Sequence, residues 1–399
     1  MVKIRELLEG LGFMSGYQFE WLDSLLNTPP ADWDRLVGHR SPFLEWAWLA
    51  SLEKAGCVSA REGWQPCHLV VRRGKQLVAA APLYLKSHSR GEFVFDQSWA
   101  ELAQYQLGVR YYPKLIGAIP FTPAVGYEFL IAEDEDPDIL TPLMVEAIDQ
   151  FSRKTRCSCT SFLFTEEKFR QRLEALDFIP RIDFNYQWSN ANYKDFDDFL
   201  SVFNANQRKN IRRERREMKD IGLEIRCFTG DSIPDDYYRR MYDFYSDTCR
   251  KFSNWSKYLN RKFFDLLDDS FRHRTAFFAA LHGPEPIGMS FCVFKEEQMY
   301  GRIWGAYEDI KFLHFNLCYY ETIDWAIAHG IKRLDPGTGG QHKHKRGFPA
   351  TPTYSLHRIY NGSLKDIIQN HLIERANPYY LEQLVLLNET LPMKGWGGS

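Results

Sequence analysis

At 399 residues, 44% hydrophobic and 26% charged, the chain has material for two or three packed domains. Its formal net charge of −2 excludes a global field that would draw it onto nucleic acid or a membrane, so any anion-binding role must come from local patches. Eight cysteines, none in a C-x-x-C pair and most in apolar stretches such as "FCVF" and "NLCYY", read as buried free thiols of a reducing compartment and argue against a zinc site.

The start, "MVKIRELLEGLGF", is short and amphipathic, with no long apolar run or small-residue cleavage site. No later segment has the apolar length to span a bilayer, so a soluble cytoplasmic protein is expected. "SPFLEWAWLASLEKAG" reads as one helix, with Ser41 as N-cap, Pro42 in the first turn and Gly56 as the stop. "CHLVVRRGKQLVAAAPLYLKSH" reads as strand, Gly-Lys turn, strand. "YEFLIA" is a further strand, "PLMVEAIDQFSRKT" an amphipathic helix, "SCTSFLFT" a strand, "EEKFRQRLEALDF" a helix and "NYQWSN" a strand.

The second half repeats that grammar. "FDDFLSVFNANQRKNIRRERREMKDIG" is helical up to Gly222 and "LEIRCF" is a strand. "DYYRRMYDFYSDTCRKF" and "NRKFFDLLDD" are helices, and residues 275–307 give three strands. "FNLCYYETIDWAIAHG" is a helix stopped by Gly330, before the short strand "KRLDPG". No βαβα run with a Gly-rich first turn occurs, which argues against a Rossmann sheet. The expected class is α+β: an N-terminal domain over 1–188, a C-terminal domain over 189–375 and a tail over 376–399.

Several separated stretches appear in a familiar order: "SPFLEWAWLASLE", "PLYLKSHSRGEFVFDQSWA", "YYPKLIGAIPFTPAVG", "QRKNIRRER", "YGRIWG", "LHFNLCYYETIDWAI" and "PGTGGQHKHKRGFPATPTYSLH". Together they resemble the bacterial Fem-like N-acyltransferases of the peptidoglycan biosynthesis/recognition type, from about Ser41 to His357. That resemblance implies two tandem GNAT-like domains. It also implies transfer of an acyl or aminoacyl group from a coenzyme A thioester or a charged tRNA, used as cosubstrate, to a small-molecule or peptide amine. The family pattern carries Glu where this chain has Asn316 and Gln341, and Gln where it has Gly339. A second class of function follows from those losses: a non-catalytic module recognising a peptidoglycan precursor or another polyanion.

Amine acylation needs a base for the ammonium proton, a polarised carbonyl and a grip on the anionic carrier. Gly337, Thr338, Gly339 and Gly340 can turn backbone N–H groups to one point, and Lys343, Lys345 and Arg346 add charge, with Arg346 able to hold phosphate bidentately. The same stretch also reads as a solvated basic connection. No P-loop or acetyltransferase pyrophosphate spacing is present. His342 is the preferred acid–base group, with Asp96, expected to be partly buried and raised in pKa, as the second. Cys318, in an apolar setting, is a poor nucleophile, so direct attack by the amine is expected. Candidate substrate contacts are Trp99, Tyr105, Tyr112 and Lys114 in the first half, and Tyr300, Arg302, Trp304, His314 and Asn316 in the second. Strict alternation would put Tyr300, Arg302 and Trp304 on one strand face. Arg208, Lys209, Arg212, Arg213, Arg215, Arg216 and Lys219 crowd one helix, either as a solvated face or as a contact for tRNA phosphates. DNA and metal have no counterpart in the sequence.

Overall fold

The computed structural model describes residues 16–251 and 257–394. The amphipathic start lies outside the described residues. The chain forms two compact units, one of residues up to Asp183 together with Thr353–Tyr380, the other of Phe184–Pro352 with the residues after Tyr380. The first boundary falls close to the expected one. The expected continuous second domain over 189–375 and free tail from 376 are corrected: residues 353–380 belong to the first unit. The reason is strand Ala350–Ile359, whose Ser355–Ile359 pairs antiparallel with Cys159–Leu163.

In the first unit six strands line up as Trp64–Pro66, Leu83–Lys86, Lys114–Gly117, Cys159–Leu163, Ala350–Ile359 and Ile179–Tyr186. A separate four-stranded sheet holds Gln18–Leu22, His68–Arg73, Gln76–Ala81 and Leu130–Ile131. The expected second hairpin strand is cut in two at Pro82, which cannot donate to a ladder, and its halves join different sheets. The expected helix over 41–56 is likewise two pieces. A 3-10 turn, Pro42–Leu44, precedes helix Trp46–Lys54 because Glu45 between them is extended.

The second unit is one six-stranded sheet in the order Trp188–Ser189, Arg333–Asp335, Gln298–Ala306, Glu285–Lys295, Thr275–His282 and Glu224–Thr229. The long helical stretch after residue 195 divides into Phe196–Ser201 and Ala205–Asp220, because Asn204 turns extended and its side chain accepts from Gln207 N. Helix Ala205–Asp220 buries Ile211 and Met218 in the same apolar cluster as Phe199, Phe203, Leu317 and Tyr320. The expected helix "FNLCYYETIDWAIAHG" contains a π turn, Asn316–Tyr320, between Leu313–Phe315 and Glu321–Ala328. Helices Gly362–His371 and Asn377–Glu389 complete the chain. All eight cysteines are free, six buried and two half-buried. Among the described residues no helix is long and apolar enough to cross a membrane.

Candidate active site

Strands Gln298–Ala306 and Arg333–Asp335 run parallel for three pairs only, from Gln298↔Arg333 to Tyr300↔Asp335. There Pro336 turns the second strand away while the first continues to Ala306. The opening is a cavity of about 290 Å³, lined by Gly301–Trp304, His314, Cys318, Tyr319, Pro336–Gly340, His342 and Lys343, with Ser290. A β-bulge opposite Phe291/Cys292 leaves Arg302 as the extra residue of its strand. The bulge breaks the expected alternation. Arg302 and Trp304 line the cavity, whereas Tyr300 is buried outside it and donates to Gln298 Oε1 at 2.7 Å.

The loop after Pro336 needs its glycines. Gly337, Gly339 and Gly340 take φ of 86°, 72° and 80°, and a Cβ on Gly340 would stand 2.4 Å from the His342 ring. Gly337 N donates to Asp335 Oδ1 at 2.8 Å, and Lys343 Nζ donates to Gly337 O at 2.5 Å. Both bonds pin the loop to the strand end.

His342 presents Nε2 to the Tyr319 hydroxyl at 2.8 Å, and His314 packs its ring against Trp304 at 4.4 Å. Burial, then the Arg346 and Lys343 charges, hold His342 below its ordinary pKa. Burial, helped by His342, Lys343 and Arg346, takes His314 down to about 3. Both imidazoles are therefore neutral at pH 7, and His342 is free to accept a proton. Burial pushes Asp335 up to about 6 against the pull of Arg302 and Lys343, and lowers Lys343 to about 8. Arg302 falls to about 10 through burial, opposed by Asp335. Burial drives the Cys318 thiol well up, so it offers no thiolate.

Several expectations are corrected here. Arg346 is buried, with Nη2 2.9 Å from Glu214 Oε2, Nε donating to Tyr320 Oη at 2.8 Å and Nη1 to His342 O at 2.9 Å. Its guanidinium also lies 3.4 Å from the Phe315 ring centroid, so its donors hold the loop instead of gripping phosphate. Lys345 is exposed outside the cavity lining, and its carbonyl accepts from Gln207. Asn316 is buried away from the cavity, donating to Glu214 O at 3.0 Å and Phe312 O at 2.9 Å.

The first-half candidates all fall in the first unit. Asp96 accepts from Tyr111 Oη at 2.6 Å and pairs with Lys114 Nζ, which also reaches Glu92 at 2.7 Å and Ser89 Oγ at 2.8 Å. Burial alone would raise the Asp96 carboxyl, but the Lys114 ammonium overrides it and holds it below the usual range. That reverses the expected raised pKa. Lys114 and Asp96 are buried, and Trp99 packs against His357 at 4.9 Å. Tyr112 is half-buried and shares a hydrogen bond with Ser89 at 2.8 Å. Tyr105 stands 77% exposed on a π turn.

On helix Ala205–Asp220 the cations are partly spent. Arg208 donates to Phe203 O, Arg212 pairs with Asp197 at 3.1 Å, and Arg215 meets Glu321 at 2.9 Å and Asp324 at 2.8 Å. Arg213 and Arg216 are exposed. Sequence reading missed Tyr319, whose only signal is its place beside Cys318 on the same turn. It also missed Glu214, which stands as one acid in a basic run.

A two-unit α+β protein with a cavity at splayed parallel strands is the class these features define. The chain belongs to the FemAB-like family, described as peptidoglycan biosynthesis/recognition, whose model matches residues 24–395. Its fold is that of FemX, at TM-score 0.52 and 12% identity over 88% of this chain and 100% of that one. Further similar structures include a tandem GNAT protein from the clavulanic acid biosynthesis pathway, with 10% identity over 86% of this chain and 98% of that one and TM-score 0.45. L-PGS from Bacillus licheniformis has 10% identity, coverage of 82% and 96%, and TM-score 0.46. No curated protein matches the chain.

Proposed function

We propose that this protein is an N-acyltransferase whose second-unit cavity receives the reacting end of an anionic acyl carrier. The observation that carries the reading is His342: a neutral imidazole in a cavity, oriented by Tyr319, beside a loop whose three positive-φ positions favour glycine. The cavity's charged lining adds to it. Arg302 and Lys343 face one carboxyl, Asp335, which leaves an excess of positive charge for a carrier's phosphate.

In the reaction His342 Nε2–H donates to the Tyr319 hydroxyl, and the acceptor amine attacks the carbonyl carbon as His342 Nδ1 takes its proton. The C–N bond forms, and the C–S or C–O bond to the carrier breaks. The proton then passes from the imidazolium to the departing sulfur or oxygen. Cys318 stays a thiol throughout, which favours direct attack over an acyl-cysteine. Membership of a peptidoglycan biosynthesis/recognition family supports a peptide amine as acceptor. The recognition-module reading drew on Asn316 and Gln341, and neither lines the cavity, so their identity leaves the proposed chemistry untouched.

The carrier is a coenzyme A thioester or a charged tRNA, and the test separates them. Purified protein is titrated with coenzyme A, acetyl-CoA and total aminoacylated tRNA at two salt concentrations. Saturable thioester binding lost in Gly340→Ala assigns the first, and steeply salt-dependent tRNA binding the second. Failure of all three to bind overturns the transferase reading.

A further inference from the structure

The second-unit sheet ends on strand Glu224–Thr229, which pairs with Thr275–His282 and is the last in the order. An edge strand presents a row of backbone donors and acceptors to whatever lies beside it. Two cavities meet along this strand. One of about 930 Å³ is bordered by Gly222–Ile225, the other of about 230 Å³ by Ile225–Cys227, and both are walled by Glu321 and Asp324. The floor of the larger is apolar, from Leu200, Met218, Leu223 and Ile225.

Its charges are unevenly committed. Arg212 is held by Asp197, and Arg215 by Glu321 and Asp324. Arg216 and Lys219, three residues apart on one helix face, are exposed and have no ion pair among the described residues. The lining as a whole carries four cations and five carboxylates. A nucleic-acid backbone laid along it would meet those carboxylates and an apolar floor, both unfavourable to phosphate. An extended peptide would meet backbone partners, an apolar seat and two uncommitted cations.

We propose that strand Glu224–Thr229 docks an extended peptide segment by strand addition. One side chain of the segment, aliphatic, sits over Leu223 and Ile225, and an acidic one reaches Arg216 and Lys219. The two side chains stand two residues apart, on one face of the added strand, because both contacts line one cavity; the ladder supplies affinity and the pockets supply selectivity. The surface is separate from the His342 cavity, so the proposal stands whether or not the protein transfers acyl groups.

The test is fluorescence anisotropy of the full chain with short labelled serine-rich peptides carrying Val and Glu, or Val and Lys, two residues apart, and with oligouridylate. The Val–Glu peptide is expected to bind and the Val–Lys peptide to fail. N-methylation of the Val–Glu backbone should abolish binding, and Arg216→Glu with Lys219→Glu should weaken it roughly tenfold. Both substituted residues are exposed, and an unchanged melting temperature shows the fold intact. No binding of the Val–Glu peptide, or binding indifferent to N-methylation or to the double variant, overturns the proposal. Oligouridylate binding without peptide binding also overturns it, in favour of a nucleic-acid surface.

Discussion

The Lys114 cluster of the first unit and the His342 cavity of the second are built from similar materials and reach opposite ends. Around Lys114 two carboxylates, Tyr111 and Ser89 close on the ammonium with almost no exposure, with buried Lys86 3.8 Å from Glu92 and half-buried Tyr112 at the edge. Around His342 the cations Arg302 and Lys343 line an open cavity, and the imidazoles facing it are neutral. Buried charges that pair with one another, even with one oxygen of each carboxylate left without a hydrogen bond, resist separation. A neutral base at a cavity wall can exchange protons with a guest.

The largest effect expected is on the closed cluster. Lys114→Ala leaves Asp96 buried without its cation and Glu92 with only Lys86, 3.8 Å away, and should cost ~3–5 kcal/mol of unfolding free energy, measured by urea denaturation. A loss under ~1 kcal/mol would show that the cluster is wet and open, and the contrast would collapse. Arg346→Ala should behave alike, since it strands Glu214, and so should destabilise the protein instead of merely weakening a ligand. Next comes His342→Asn, expected to slow acyl transfer ~10²–10⁴-fold with little change in melting temperature. A comparable fall in stability would make His342 a packing residue.

The pH profiles should divide in the same way. Transfer needs the free base of His342, so its rate should rise with pH and level off below the ordinary histidine pKa of about 6.5. His357, buried between Ser161 and Ser355 and lowered to about 3, acts on stability instead. As pH falls from about 6.5 towards 3, the unfolded chain takes up a proton that the folded chain refuses. Stability present above 6.5 is therefore lost on acidification, by about 1.4 kcal/mol per pH unit from this residue. His357→Gln should flatten that slope by the same amount, and an unchanged slope would mean the site admits a proton. The smallest effect is expected at Tyr105, where exposure predicts a change within ~0.5 kcal/mol for Tyr105→Ala.

What could be read from the chain follows from how local each signal is. The glycine loop announced itself because positive φ is a property of single residues, and His342 and Lys343 came with it by adjacency. Trp304, His314 and Arg302 line that same cavity. Tyr300 did not, because a bulge is set by the partner strand and leaves no mark on the strand's own alternation. Arg346 looked like a phosphate ligand because its partner, Glu214, lies 132 residues away. Asp96 was expected to have a raised pKa because its flanks are apolar, while Lys114, 18 residues on, decides the sign. Asn316 looked like a site residue through its neighbours and proved to be a tie to helix Ala205–Asp220.

Strand Ala350–Ile359 lies in its sheet flanked by Cys159–Leu163 and Ile179–Tyr186. A ribosome finishes both flanking strands long before it reaches the one that joins them. Through the synthesis of the whole second sheet the first is left as two unjoined edges, exposed to whatever else can pair with them. A gene cut near the midpoint would yield a fragment without the strand that joins Cys159–Leu163 to Ile179–Tyr186, and not an independent domain.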